Sequence, residues 1–249
     1  GIAMSNSTNV SVRLVDIEDS YYQGIAANNA VGGKIDNCTI RRSVREGILL
    51  GSSRNFSVVN NRVTDSGVIG PLVQSRGAIS TFGSDNQIKN NTVSNSGYHG
   101  IAFGKRNDVA FNRVENACLA LADCGGIYTG NSAANNDTSP HNSVVYGNVV
   151  SGIRGSRNGR DPGPAYVLTP AIYLDFRTSS VYVAQNTISD SDMGIFIHAA
   201  SGSTFTDNTV YNFDTYAIWM KEYLFSRIST PNKIQRNQIF GLSASPPIM

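Results

Sequence analysis

Short apolar runs alternate with polar, turn-rich ones along the whole chain, and one five-residue pattern keeps returning: small, Ile, variable, apolar, polar. The early copies are Gly1-Ile-Ala-Met-Ser5, Gly24-Ile-Ala-Ala-Asn28, Gly47-Ile-Leu-Leu-Gly51, Gly77-Ala-Ile-Ser-Thr81 and Gly100-Ile-Ala-Phe-Gly104. The later ones are Gly126-Ile-Tyr-Thr-Gly130, Ala171-Ile-Tyr-Leu-Asp175, Gly194-Ile-Phe-Ile-His198 and Ala217-Ile-Trp-Met-Lys221. Their starts are spaced 23, 23, 30, 23, 26, 45, 23 and 23 residues apart. A sustained period of this kind signals a solenoid, in which each repeat buries its apolar face against its neighbours.

Within such a block, successive side chains of a strand point to opposite faces. The second and fourth positions are predicted to point inward, the third and fifth outward. Each repeat also carries a short β-branched run, such as Phe56-Ser-Val-Val59 or Val181-Tyr-Val183. A second strand then opens on Asn, as in Asn37-Cys-Thr-Ile40, Asn61-Arg-Val63, Asn91-Thr-Val93, Asn112-Arg-Val114, Asn148-Val-Val150, Asn186-Thr-Ile188, Asn208-Thr-Val210 and Asn237-Gln-Ile239. Brief runs of this kind, bounded by turn residues, read as strands. The pattern predicts an all-β fold, a single-stranded parallel β-helix of about nine coils stacked ~4.8 Å apart. The recurring Asn residues are predicted to stack as a ladder of side-chain amides.

The chain has 249 residues, long enough for two ordinary domains, but the repeat spans it and predicts one domain over 1–249. Because Gly1 already lies inside a repeat, a longer protein with an upstream cap is expected, or contact with another subunit in a homo-oligomer. A net charge of +2 leaves no electrostatic footprint for nucleic acid. No apolar run is long enough to span a membrane. Of the three cysteines, Cys38 reads as a buried thiol, whereas Cys118 and Cys124 could form a disulfide, which would imply an oxidising compartment.

The candidate chemistry lies on the outward positions. The third position is small or aliphatic in the early coils and then becomes Tyr128, Tyr173, Phe196 and Trp219. Such an aromatic stripe suits sugar rings, though it would also serve as hydrophobic stacking or as a partner surface. The fifth position of the last three blocks is Asp175, His198 and Lys221, predicted to form one outward row with Asp175 and His198 at hydrogen-bonding distance. Asp123 lies just before the Gly126 block, Arg177 follows Asp175, and Arg76 and His99 immediately precede their own blocks. Extra residues around 66–76, 118–124, 131–141 and 153–170 are expected to form walls beside the stripe. Within the last of these, Arg154, Arg157 and Arg160 are either a solvated loop or a clamp for an acidic substrate.

Asp123-Cys-Gly-Gly-Ile-Tyr-Thr129 resembles the Asp-Gly-Gly-Ala-Ile-Tyr-Thr motif of right-handed β-helix glycoside hydrolases related to families 141 and 120, within the wider pectin-lyase-like group. Ala171-Ile-Tyr-Leu-Asp175 resembles their Ile-Tyr-Leu-Asp-Asp motif, and Gly194-Ile-Phe-Ile-His198 the run that follows. Cys124 stands where the motif has Gly, and Phe176 where it has the second Asp. The resemblance covers about residues 95–215 and implies polysaccharide processing outside the cytoplasm, extracellular or periplasmic, with Asp123 and Asp175 as the carboxyl groups.

Three functions are compatible with this reading. The first is a glycoside hydrolase in which Asp123, Asp175 and His198 are catalytic. Tyr128, Tyr173, Phe196, Trp219, Lys221, Arg177, His99 and Arg76 would then contact the glycan. The second is a polysaccharide lyase or uronate epimerase with Lys221 or His198 as base and Arg177 neutralising the acid. The third is a non-catalytic glycan-binding stalk of the tailspike or adhesin kind. None of them calls for a metal or a cofactor.

Overall fold

The computed structural model describes residues 1–69, 76–130, 141–155, 168–222 and 230–241. Among them every strand pairing is parallel, and the strands form three walls around one apolar lumen. The first wall stacks the recurrent blocks, from Ile2–Ser5 and Ile25–Asn28 through Pro170–Leu174 to the ends of Thr187–His198 and Thr209–Lys221. The second runs from Thr8–Arg13 to Lys233–Gln235 and the third from Asp16–Glu18 to Gln238–Phe240. The strands Thr187–His198 and Thr209–Lys221 are long because they turn the corner from the third wall into the first without a break.

The predicted Ile column exists. Ile25, Ile48, Ile101, Ile127, Ile172 and Ile195 are fully buried, Ile218 nearly so, and Ile2 is partly buried at the first coil. Small residues open the blocks because the corner is crowded: a Cβ on Gly47 would lie 2.3 Å from Val63 Cγ1, and one on Gly100 2.4 Å from Val114 Cγ1. Both valines belong to the third wall.

The fourth coil departs from the expected register. Ile79, not Ala78, pairs with Ile48 and Ile101, and Gly77 lies opposite His99. The block there is Ala78–Phe82, shifted by one residue. Ile79 thus belongs to the inward column and Ser80 to the third position. The glycine that marked the start fills the preceding position, and Ala78 is small enough to take the crowded corner.

The Asn ladder also exists, with one correction. Asn61, Asn91, Asn112, Asn148, Asn186, Asn208 and Asn237 are linked in series, each Nδ2 donating to the next Oδ1 at 2.9–3.0 Å. Each Nδ2 also donates to a backbone carbonyl of the preceding coil, as Asn148 does to Val109 O at 2.9 Å. Asn37 is not a rung. Cys38 holds that place, its N–H donating to Asn61 Oδ1 at 3.0 Å, while Asn37 sits one residue earlier with φ 53°. That earlier position is left-handed in coil after coil (Asn60, Asn90, Phe111, Gln185), a conformation Asn tolerates well.

Among the described residues no helix is long and apolar enough to cross a membrane, and no cluster of His, Cys, Asp and Glu could hold a metal ion.

Candidate active site

The site sits on the outside of the first wall, where coils six to nine carry the aromatic stripe. Tyr128, Tyr173, Phe196 and Trp219 are in direct register. Their rings contact one another in turn, Tyr128 to Tyr173 edge-on at 5.4 Å, Tyr173 to Phe196 at 5.0 Å and Phe196 to Trp219 stacked at 4.7 Å. They form a second apolar cluster outside the lumen, with Ala102 and Met193 and with Leu168 and Tyr216 packed against it. Tyr173 and Phe196 are only 2% and 1% exposed. Their rings therefore serve as the floor of the site, and Trp219, half-buried, presents the most open ring of the stripe.

Asp175 and His198 occupy the fifth position of successive coils, and His198 Nδ1 lies 2.8 Å from Asp175 Oδ1. The other carboxylate oxygen accepts from the Tyr128 hydroxyl at 3.1 Å. Gly130 makes that contact possible: a Cβ there would lie 2.7 Å from the Tyr128 hydroxyl oxygen and 3.1 Å from Asp175 Cβ. Burial pushes the Asp175 carboxyl up. The His198 ring, the Phe176 backbone N–H and the Tyr128 hydroxyl more than offset this and hold it below the usual aspartate range.

Asp123 behaves in the opposite way. It lies in the loop between Arg113–Glu115 and Ile127–Thr129, with φ 55°. Its outer edge is exposed, but the protein packed around its carboxyl group raises the pKa. The charge of Asp175 adds to the rise, and the Tyr173 hydroxyl and His198 only partly counter it. Tyr173 Oη lies 3.3 Å from Asp123 Oδ1 and interacts with Asp175 as well, so this buried hydroxyl stands between the two carboxyl groups. Its own ionisation is driven far upward by burial and by both negative neighbours. A hydroxyl has one proton to donate. It can therefore serve only one of the two carboxyl groups at a time.

The Asp123 loop is held on several sides. Cys118 and Cys124 form the disulfide that the sequence left open. The backbone of the loop bonds to Ser96–Tyr98 through Cys118 N to Tyr98 O at 2.9 Å and Leu119 N to Ser96 O at 3.0 Å. The Tyr98 hydroxyl donates to Asp123 O at 2.8 Å, and Gly125 N–H donates to His99 Nδ1 at 2.9 Å. His99 is fully buried, stacked on Tyr128 with ring centres 3.9 Å apart, so it lies beneath the site and offers no surface to a ligand. Burial pushes its imidazole down to about 3, against the pull of the Asp175 charge.

Lys221 pairs in register with His198 and is exposed, its ammonium 5.6 Å over the Trp219 ring. Arg177, two residues beyond Asp175 in the same coil as that residue, lies over the Phe176 ring. Arg76 is elsewhere: it pairs with buried Glu46 at 3.1 Å and lies over Phe82. That places it about three coil rises, ~14 Å, from Asp175. Arg154 pairs with Asp214, while Arg157 and Arg160 lie outside the described residues, as do 70–75, 131–140 and 156–167 of the expected walls. Tyr98 is the contributor that the sequence pattern did not single out.

A stack of parallel coils around an apolar lumen defines a class of protein, and the sequence places the chain within it. Residues 1–161 and 168–245 match the family described as the right-handed β-helix region, and the chain belongs to that family. Among solved structures, the catalytic domain of a GH87 α-1,3-glucanase in complex with tetrasaccharides is similar with a TM-score of 0.59 at 13% identity. The alignment covers 97% of this chain and 48% of that one, so the chain spans about half its length. PfbA, a surface adhesin of Streptococcus pneumoniae, is similar at 15% identity with a TM-score of 0.44, over 90% of this chain and 64% of that one. No curated protein sequence matches the chain.

Proposed function

We propose that this chain is a carbohydrate-active protein acting outside the cytoplasm, a glycoside hydrolase whose two carboxyl groups are Asp123 and Asp175. The observation that carries the reading is the asymmetry of that pair around the Tyr173 hydroxyl. His198, Phe176 N–H and Tyr128 hold the Asp175 carboxyl below the usual aspartate range, while burial and the charge of Asp175 push that of Asp123 above it. Two carboxyl groups with pKa values pushed apart are what acid-assisted glycoside cleavage needs. Asp123 donates its proton to the glycosidic oxygen as the bond to the leaving sugar breaks. Asp175 meets the oxocarbenium-like centre, either bonding to it directly or drawing a proton from the attacking water. His198 keeps Asp175 oriented, and Trp219 offers a ring to a bound sugar. The buried disulfide fits an oxidising compartment.

The test is incubation of the purified chain with a panel of soluble α- and β-glucans, α-1,3-glucan among them, and with pectic polymers, followed by product analysis. New reducing ends that vanish in Asp175→Asn and Asp123→Asn support the hydrolase. The register of Lys221 with His198 favours a second reading, a lyase in which one of them is the base. It would leave unsaturated products absorbing in the ultraviolet and lose activity in Lys221→Ala or His198→Ala. Binding without turnover would identify a glycan-binding protein instead.

A further inference from the structure

We propose that Tyr98 and His99 are positioning residues, a single dipeptide that sets where Asp123 stands relative to Asp175. The proposal rests on the reading of Asp123 and Asp175 as the functional pair. Tyr98 fixes the backbone of Asp123 itself, its hydroxyl donating to the Asp123 carbonyl oxygen. His99 fixes the backbone two residues on, accepting from Gly125 N–H. The flat face of the same imidazole supports Tyr128, at 3.9 Å and an interplanar angle of 11°, and Tyr128 donates to Asp175 Oδ2. One pair of adjacent side chains therefore touches the supports of both carboxyl groups, which come from loops and strands 52 residues apart (175 − 123).

The chemistry of His99 is specific to this task. To accept from Gly125, Nδ1 must be unprotonated, which puts the proton on Nε2. Nε2 is buried with no hydrogen-bond partner among the described residues, so the neutral ring tolerates one unsatisfied N–H to keep its acceptor in place. A leucine of similar size would fill the space and abandon the Gly125 N–H. An asparagine can place Oδ1 near the position of Nδ1 and keep it. The charged and titratable groups facing Asp123 are Asp175, His198 and Tyr173. If the loop is released, Asp123 moves away from the first and from the protein that buries it.

The experiment is a ¹³C NMR titration of the Asp123 carboxyl carbon in the intact chain and in His99→Leu, His99→Asn and Tyr98→Phe, with circular dichroism and thermal midpoints as folding controls. In the parent chain Asp123 is expected to titrate above the ordinary aspartate value of about 3.9. His99→Leu and Tyr98→Phe should bring it back toward that value, and His99→Asn should retain it. On a glycan that the parent chain cleaves, kcat should fall about 10-fold or more in the first two, as expected when a reacting group is displaced by about an ångström. The alkaline limb of the pH profile should move down with the titration. Should His99→Leu not fold, Tyr98→Phe, which loses a single hydroxyl, decides alone. An unchanged Asp123 titration in the folded variants overturns the proposal. A shifted titration in a chain that cleaves no glycan keeps the positioning role and rejects the hydrolase reading, so the two fail separately.

Discussion

Asp175 and His198 are 23 residues apart in sequence and one coil apart in space, with Oδ1 and Nδ1 at 2.8 Å. Neither has a place in the lumen, and both side chains retain about a fifth of their surface exposed. Replacing Asp175 with Asn should therefore leave the circular dichroism spectrum unchanged. Turnover on the best glycan of the panel should fall by about 10²–10⁴, the effect of removing one transition-state group. Lys221→Ala should cost far less. Equal losses in both variants would point to the lyase.

The pH profile should be broad. In the hydrolase reading, activity needs Asp175 ionised and Asp123 protonated. The acid limb is expected below the ordinary aspartate range, because Asp175 is depressed, and the alkaline limb above it, because Asp123 is raised. Initial rates across pH at subsaturating glycan check this, and Asp123→Asn should remove the alkaline limb along with most of the activity.

Stability carries the same signs. A carboxyl group whose folded pKa is raised destabilises the fold as it ionises, so Asp123→Asn should raise the thermal midpoint near pH 7 while abolishing turnover. His99 works in the other direction as a base held neutral. Between its unfolded value near 6.5 and its folded value of about 3, the unfolded chain binds a proton that the folded chain does not. Stability is lost as pH falls through that window. Urea midpoints measured from pH 7 to pH 4 should drop less steeply in His99→Asn than in the parent chain.

Removing the disulfide should loosen the acid more than the fold. The loop closed by Cys118 and Cys124 has a sequence separation of only 6 residues, which the chain-entropy relation values at about 2–3 kcal/mol. Cys118→Ser with Cys124→Ser should show a loss of this order in urea unfolding, together with a fall in kcat. Unaltered kcat would mean that the remaining contacts of the Asp123 loop suffice.

The lumen is less forgiving. Ile172 is fully buried between Ile127 and Ile195, and Ile172→Ala should cost about 2–5 kcal/mol. Denaturant titration of the variant gives the number directly.

The coil count, the Ile column and most of the Asn ladder were legible because each depends only on strand alternation and a repeated period. The Asp175–His198 contact was legible for the same reason, since equal positions in successive coils must stack. The fourth coil misled because Gly77 imitates the small opening residue one position early, and only the pairing of Ile79 with Ile48 reveals the shift. Alternation placed Tyr173 and Phe196 outside the lumen but carried no information about what lies over them. Tyr98 was invisible for a related reason. Its partner is a backbone carbonyl in a loop whose path turns on the left-handed Asp123, and nothing periodic encodes that path.

The asparagine ladder keeps time from Asn61 to Asn237. Its successive rungs are 30, 21, 36, 38, 22 and 29 residues apart in sequence, yet every link closes at nearly the same distance. Length is thus absorbed away from the rungs. Register-keeping and the candidate site occupy separate walls of the coil. Loops beside Asp123 and Asp175 can therefore be lengthened, shortened or exchanged for those of another coil protein without disturbing the stacking beneath them. The same scaffold could then be retuned from one polymer to another by changing only its fringe.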